Sequence, residues 1–250
     1  MNKKAIDKFR RDLKKGKALI GGWIQISNSN VAEIMSYANY SWIAFDMEHG
    51  SFSIGDLPEL FRSVEINKKP AFVRLPNKNL EICNQVLDAG SAGVIIPNIK
   101  NETELSLLIR SCYLPPYGSR GVGYARANMF GKNINRQNKK PIVIAMIENI
   151  NSVKRLEKIL SVKGLDAILI GPYDLSASMG ITGKFNNLKF KLVIKKINKL
   201  SKKFKIPCGI HVIEPNYKAL KKYVKDGYQF LPFCTDALLL NHSIKSSFKK

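Results

Sequence analysis

Two carboxylates and an imidazole stand within four residues in Asp46-Met-Glu-His49, directly after the apolar run Trp42-Ile-Ala-Phe45 and just before Gly50. Carboxylates hold hard cations, and an imidazole exchanges protons near neutrality. A short run of aromatic and β-branched residues without charge suits a strand covered on both faces. In parallel α/β proteins the carboxyl ends of such strands are where ligands bind. Three further charged residues occupy equivalent places: Arg74 ends Ala71-Phe-Val-Arg74, Glu148 ends the run 141–148, and Asp174 follows the run 167–171. Taken singly, each has a structural reading as well, the carboxylates as helix caps and Arg74 as half of a salt bridge.

Placed around one mouth, Glu148 and Asp174 offer two oxygen ligands with no second histidine or thiolate close in sequence. That donor set suits a divalent cation such as Mg²⁺ or Mn²⁺, with Co²⁺ as a further candidate. An ion with open positions takes a 2-oxo acid through its keto oxygen and one carboxylate oxygen, and as a Lewis acid it stabilises an enolate. Arg74, permanently charged, can share that load, and His49 can move the proton. The other route to an enolate equivalent is a lysine Schiff base. No lysine interrupts an apolar strand here, and Lys78, Lys100 and Lys184 lie in polar loops. Of the remaining histidines, His211 reads as a satisfied core residue and His242 as a surface or interface residue.

The elements that must position these groups alternate along the chain. Apolar runs at 18–26, 42–45, 71–75, 93–97, 141–148, 167–171, 208–212 and 229–233 read as strands. Helical spacing is present at the start and over 31–37, 56–65, 80–88, 102–112, 152–160, 188–200, 215–225 and 237–248. Residues 113–140 form a long irregular segment around Arg120-Gly-Val-Gly-Tyr-Ala-Arg126. A loop of that length inside a domain is usually functional or an interface. Eight strands alternating with helices predict an α/β fold of the (β/α)8 TIM-barrel type, as one domain over residues 1–250.

The chain has 250 residues, 45% hydrophobic and 24% charged, with a formal net charge of +22. Basic residues crowd at 1–17 and 184–225, interleaved with apolar ones, which predicts amphipathic helices with lysine-rich solvated faces. A basic nucleic-acid-binding protein is the alternative from another class, but no recognition motif or stacking platform accompanies the charge. The expected partners are therefore small molecules, with neither nucleic acid nor membrane among them. The apolar run 18–26 is too short and interrupted for a signal or membrane span. Cys83, Cys112, Cys208 and Cys234 are widely spaced and read as reduced thiols in a cytoplasmic protein.

Taken in order, Phe45-Asp-Met-Glu-His-Gly50, Val73-Arg-Leu-Pro76, Leu87-Asp-Ala-Gly90, Arg120-Gly-Val-Gly123 with Ala125-Arg-Ala127, Met146-Ile-Glu148 and Ile170-Gly-Pro-Tyr-Asp-Leu-Ser176 resemble the HpcH/HpaI aldolase family. These are metal-dependent (class II) pyruvate aldolases of the phosphoenolpyruvate/pyruvate barrel superfamily, and the resemblance runs over almost the whole chain. It implies reversible cleavage of a 4-hydroxy-2-oxo acid to pyruvate and an aldehyde, with decarboxylation of oxaloacetate as an alternative on the same site. By the same resemblance Glu148 and Asp174 ligate the metal, His49 is the acid/base, Asp88 orients His49, and Arg74 polarises the keto oxygen. Trp23, Gly171, Pro172, Tyr173 and Ser176 line the substrate, with backbone amides near Tyr173 and Asp174 holding its carboxylate. The family further suggests homo-oligomers, hexamers built as trimers of dimers that exchange the last helix. Met146 stands where some members carry glutamine, and the aldehyde stays open.

Overall fold

The computed structural model describes residues 3–136 and 139–248, so residues 137 and 138 of the long irregular segment lie outside it. Its strands are β1 (Leu19–Ile24), β2 (Trp42–Asp46), β3 (Ala71–Arg74), β4 (Gly93–Ile96), β5 (Ile142–Ile147), β6 (Ala167–Ile170), β7 (Cys208–Ile210) and β8 (Phe230–Pro232). All eight pair in parallel in sequence order, and β8 returns to β1, closing a barrel. Helices α1 (Lys3–Lys14), α2 (Ser29–Tyr37), α3 (Leu57–Glu65), α4 (Leu80–Asp88), α5 (Glu102–Cys112), α6 (Ile150–Lys154), α7 (Leu156–Leu160), α8 (Pro172–Ser178), α9 (Leu188–Phe204), α10 (Tyr217–Lys225) and α11 (Asp236–Ser247) are interleaved with them. This is the (β/α)8 TIM barrel that the alternation of elements predicts.

Successive side chains of a strand point to opposite faces, so each strand divides its residues between two cores. Ile43, Phe45, Val73, Val143, Ala145 and Ile147 belong to the cluster under the helices, where Phe45 meets Phe61 at 5.5 Å. Trp23, Trp42, Ala44, Phe72, Ile144, Met146 and Leu169 fill the barrel interior. Trp42 stacks on Phe230 at 4.1 Å, and its indole lies where a side chain at Gly21 would have to go. The inward parity continues along β2, β3 and β5 to Asp46, Arg74 and Glu148, so the same alternation that fills the interior delivers charge to its upper end.

The opening helix has a specific seat. Ile6, Phe9 and Leu13 of α1 join the interior cluster, with Phe9 5.0 Å from Phe72 and 6.3 Å from Phe230. The helix thus stoppers the amino-terminal end of the barrel, and each such buried side chain is worth about 1.5–3 kcal/mol. Asparagine is abundant for a reason of its own: Asn28, Asn79, Asn101, Asn149, Asn187 and Asn216 each cap a helix, accepting from its first free N–H groups.

Three expectations are corrected. Arg155 interrupts the helix expected over 152–160, leaving α6 and α7. The long segment 113–140 contains short 3-10 turns at Arg126–Asn128 and Ile134–Arg136. Finally, Cys83 and Cys112 are not separate thiols: α4 and α5 lie side by side, bring the two Cα atoms to 6.4 Å, and the pair is bonded as a disulfide across 29 residues. Cys208 and Cys234 are free and buried. Among the described residues, no helix is long and apolar enough to cross a membrane.

Candidate active site

The mouth is built on an ion pair between neighbouring strands. Asp46 and Arg74 are register partners of β2 and β3, and both point inward. Arg74 donates from Nε to Asp46 Oδ1 at 2.7 Å and from Nη2 to Oδ2 at 2.6 Å, the two-pronged geometry that suits a guanidinium. Asp46 has no exposed surface and also accepts from Trp23 Nε1 and Gln25 Nε2, both at 3.0 Å. Backbone N–H groups of Glu48 and His49 donate to its Oδ1 at 3.1 and 3.2 Å. One carboxylate therefore holds the arginine, the indole and the turn that carries His49. Burial opposes the charge of Asp46, but the Arg74 bonds, with those from Trp23 and Gln25, outweigh it and hold the carboxyl down at about 2.

Asp46 was expected at the mouth but without a role of its own there, since its strand-end position read equally well as a helix cap. The signal that identifies it is parity: with Trp42 and Ala44 facing inward, Asp46 must do so too. Trp23, expected against substrate, lies fully buried beneath the guanidinium, which sits 5.3 Å from its ring centre. Its indole N–H is taken by Asp46, so it supports Arg74 from behind.

Glu48, Glu148 and Asp174 form the acidic side of the mouth. Glu148 is 6% exposed, and its Oε2 accepts from the backbone N–H of Asn98 at 2.7 Å. Burial pushes this carboxyl up to about 7, and the charges of Asp174 and Glu48 add to the rise. Glu48 is raised as well, first by burial, with Asp46 and Asp174 contributing. Its Oε2 lies 3.0 Å from Arg74 Nη1 yet out of hydrogen-bonding alignment, and the atom has no hydrogen-bond partner. Gly171 leaves room for this arrangement: a Cβ there would lie 2.6 Å from Glu148 Oε1.

Asp174 occupies the first turn of α8 and is exposed, as are His49 and Tyr173. Pro172 is buried at the helix start, and Tyr173 packs edge-on against Phe185 at 5.0 Å. Ser176, expected to face substrate, is buried and committed within the fold: its hydroxyl donates to the Tyr173 carbonyl at 2.8 Å and accepts from Gly183 N–H at 3.0 Å. Among the described residues, no three His, Cys, Asp or Glu side chains converge on one metal position. Two mutually repelling carboxylates nevertheless fit a hard cation that completes its shell with substrate and water.

Asp88 is the residue that the structure does not bring to the mouth. It ends α4, which runs down from the mouth end of β3 to the start of β4, and so lies at the opposite end of the barrel from His49. Burial raises its carboxyl, and its charged neighbour is Arg120.

The residues 19–243 match the family model described as HpcH/HpaI aldolase/citrate lyase. The chain is 29% identical over 254 residues to a hydroxypyruvate/pyruvate aldolase of Roseobacter denitrificans, covering 98% of each. It is 30% identical over 239 residues to a 4-hydroxy-2-oxo-heptane-1,7-dioate aldolase of Escherichia coli, covering 93% of this chain and 90% of that one. The crystal structure of an HpcH/HpaI aldolase/citrate lyase family protein from Burkholderia cenocepacia superimposes with a TM-score of 0.90 at 25% identity, covering 96% and 97% of the two chains. A barrel of this topology, with an arginine locked at the end of β3 opposite carboxylates after β5 and β6, and a match that spans nearly all of it, place this chain in the HpcH/HpaI aldolase/citrate lyase family.

Proposed function

We propose that the chain is a divalent-cation-dependent pyruvate aldolase, a carbon–carbon lyase that reversibly cleaves a 4-hydroxy-2-oxo acid to pyruvate and an aldehyde. The observation that carries this reading is the opposition at one mouth of a fixed arginine and a repelling carboxylate pair, Glu148 and Asp174. Those two carboxylates would hold Mg²⁺ or Mn²⁺, which when bound supplies Lewis acidity toward the 2-oxo acid. Arg74 cannot turn away from the mouth without breaking both bonds to Asp46, so its remaining N–H groups meet the keto oxygen already oriented. Free N–H groups in the first turn of α8, at Tyr173 and Asp174, are available to the substrate carboxylate.

His49, exposed on the turn that Asp46 anchors, takes the proton of the 4-hydroxyl. The C3–C4 bond then breaks, its electron pair moves into the pyruvate enolate, and the C4 carbon leaves as the aldehyde carbonyl. Protonation at C3 releases pyruvate. The proposed partnership of Asp88 with His49 requires a second copy of the chain, since within one copy they occupy opposite ends of the barrel. An oligomer is supported by α11, of which only Asp236 is buried while Leu238, Leu240 and Ile244 are exposed. The proposed assembly is a hexamer of helix-exchanging dimers, and the proposed compartment is the cytoplasm.

The test is pyruvate release from a panel of 4-hydroxy-2-oxo acids, with oxaloacetate alongside, using chelator-treated protein with and without Mg²⁺ or Mn²⁺. Cleavage is expected to need the cation, to vanish in Glu148→Ala and Asp174→Ala, and to fall more than about a hundredfold in His49→Ala. Turnover of oxaloacetate alone would replace the aldolase by a decarboxylase. Cleavage indifferent to chelation would refute the cation-dependent reading.

A further inference from the structure

His211 is a half-buried ionisable group at the mouth that the proposed reaction does not use. It stands one residue beyond β7, with its backbone N–H on the Ile170 carbonyl at 3.2 Å, and its ring centre lies 4.8 Å from that of Trp23. It therefore belongs to the same layer as the Trp23–Asp46–Arg74 group. The ring is offered one hydrogen bond, to the backbone of Cys234, and with Nε2 unpartnered that bond falls to Nδ1 as donor. The other nitrogen, Nε2, is shut from solvent and has no hydrogen-bond partner. Expected from the sequence to be a satisfied core histidine, His211 is satisfied on one side only.

The unpaired nitrogen has a definite chemistry. Burial, together with the neighbouring Arg74 charge, lowers this imidazole to about 4, so near neutrality the ring is uncharged and Nε2 carries a lone pair. So weak a base is unsuited to remove a hydroxyl proton, but it remains a good acceptor. A buried acceptor without a donor is disfavoured, so the position favours a ligand that brings a donor. Keto and carboxylate oxygens of a 2-oxo acid offer none. Hydroxyl groups do.

We propose that His211 is a specificity-determining residue that accepts a hydrogen bond from a hydroxyl on the substrate's carbon chain, so that hydroxylated substrates are selected over their deoxy counterparts. The inference rests on the aldolase reading and extends it. The hydroxyl can come from the 2-oxo acid, as in hydroxypyruvate against pyruvate, or from the aldehyde. His211 as a whole is only half-buried and follows the mouth end of β7, so an adjustment of the side chain would bring Nε2 to a bound hydroxyl.

The experiment measures kcat/KM ratios in the presence of Mn²⁺. One arm compares hydroxypyruvate with pyruvate against a fixed aldehyde; the other compares glycolaldehyde with acetaldehyde against fixed pyruvate. Ratios are unaffected by the fraction of protein that is folded, so a poorly folding variant does not mimic the effect. Wild-type protein is expected to prefer the hydroxylated member at least about tenfold in one arm, and His211→Leu to lose about tenfold of that preference. His211→Gln, which keeps an acceptor oxygen, is expected to retain part of it. Equal use of both members by the wild type, or a preference that survives in His211→Leu, would overturn the proposal. Exchange of pyruvate methyl protons with deuterated solvent, followed by NMR on the wild type, separates the two levels. Exchange without a His211-dependent preference overturns the proposal alone, while absence of cation-dependent exchange overturns the aldolase reading and the proposal with it.

Discussion

Replacing Asp46 by Ala removes a carboxylate with no exposed surface that accepts from Arg74, Trp23, Gln25 and two backbone N–H groups. What remains is an arginine 6% exposed whose strongest partner is gone and whose other ion pair, with Glu48, is poorly aligned. Breaking a buried pair from one side is typically destabilising by about 3–5 kcal/mol. An independent figure comes from the depressed carboxyl: a fall from 3.8 to about 2 corresponds to roughly 2.5 kcal/mol. Because the folded-state value lies below the unfolded one, that stability is present above pH 4 and is lost as pH falls toward 2. At pH 7 the expected loss is thus about 3 kcal/mol, read as a shift of the urea midpoint at constant slope. The decisive arm is a double-mutant cycle with Arg74→Met. If Asp46 acts by holding Arg74, its removal should be much milder in that background. A loss below about 1 kcal/mol, or the same loss in both backgrounds, would refute the argument.

The acidic side of the mouth responds in the opposite sense to pH. In chelator-treated protein Glu148 titrates near 7, above its ordinary value, so the folded state pays for ionisation as pH rises from about 4.5 to 7. Glu148→Gln should therefore raise the melting temperature relative to wild type at pH 8, by up to roughly 3 kcal/mol of stability, and change it little at pH 5. Equal melting differences at both pH values would remove the electrostatic explanation. Gly171→Ala would place a methyl group 2.6 Å from Glu148 Oε1 and turn that carboxylate away. Calorimetric titration with Mn²⁺ should show at least about tenfold weaker binding, whereas unchanged affinity would exclude Glu148 as a ligand.

Much of this molecule is legible before any coordinates. The order of apolar runs sets the barrel, because strands of this kind alternating with helices have few other ways to bury both faces. Strand parity already places Arg74 and Glu148 with the interior-facing residues, since a period of two leaves no choice once Phe72 and Met146 face inward. The ordered motifs identify the family even though each motif alone is weak.

Tertiary structure decided everything that depends on which side chains meet across elements. Asp46 becomes the anchor of Arg74 only because β2 and β3 pair with these residues in register. Cys83 and Cys112 are joined because α4 and α5 lie side by side, which spacing along the chain cannot express. Ser176 spends its hydroxyl on α8 and Gly183, and Trp23 gives its N–H to Asp46, so neither is free in the way its position suggests. Asp88 sits beside Arg120 at the far end of the barrel because a helix that follows a strand must run back to the opposite face. Periodicity is a property of one segment and fixes the face a residue shows, whereas the partner that residue finds belongs to the packing of segments distant in sequence.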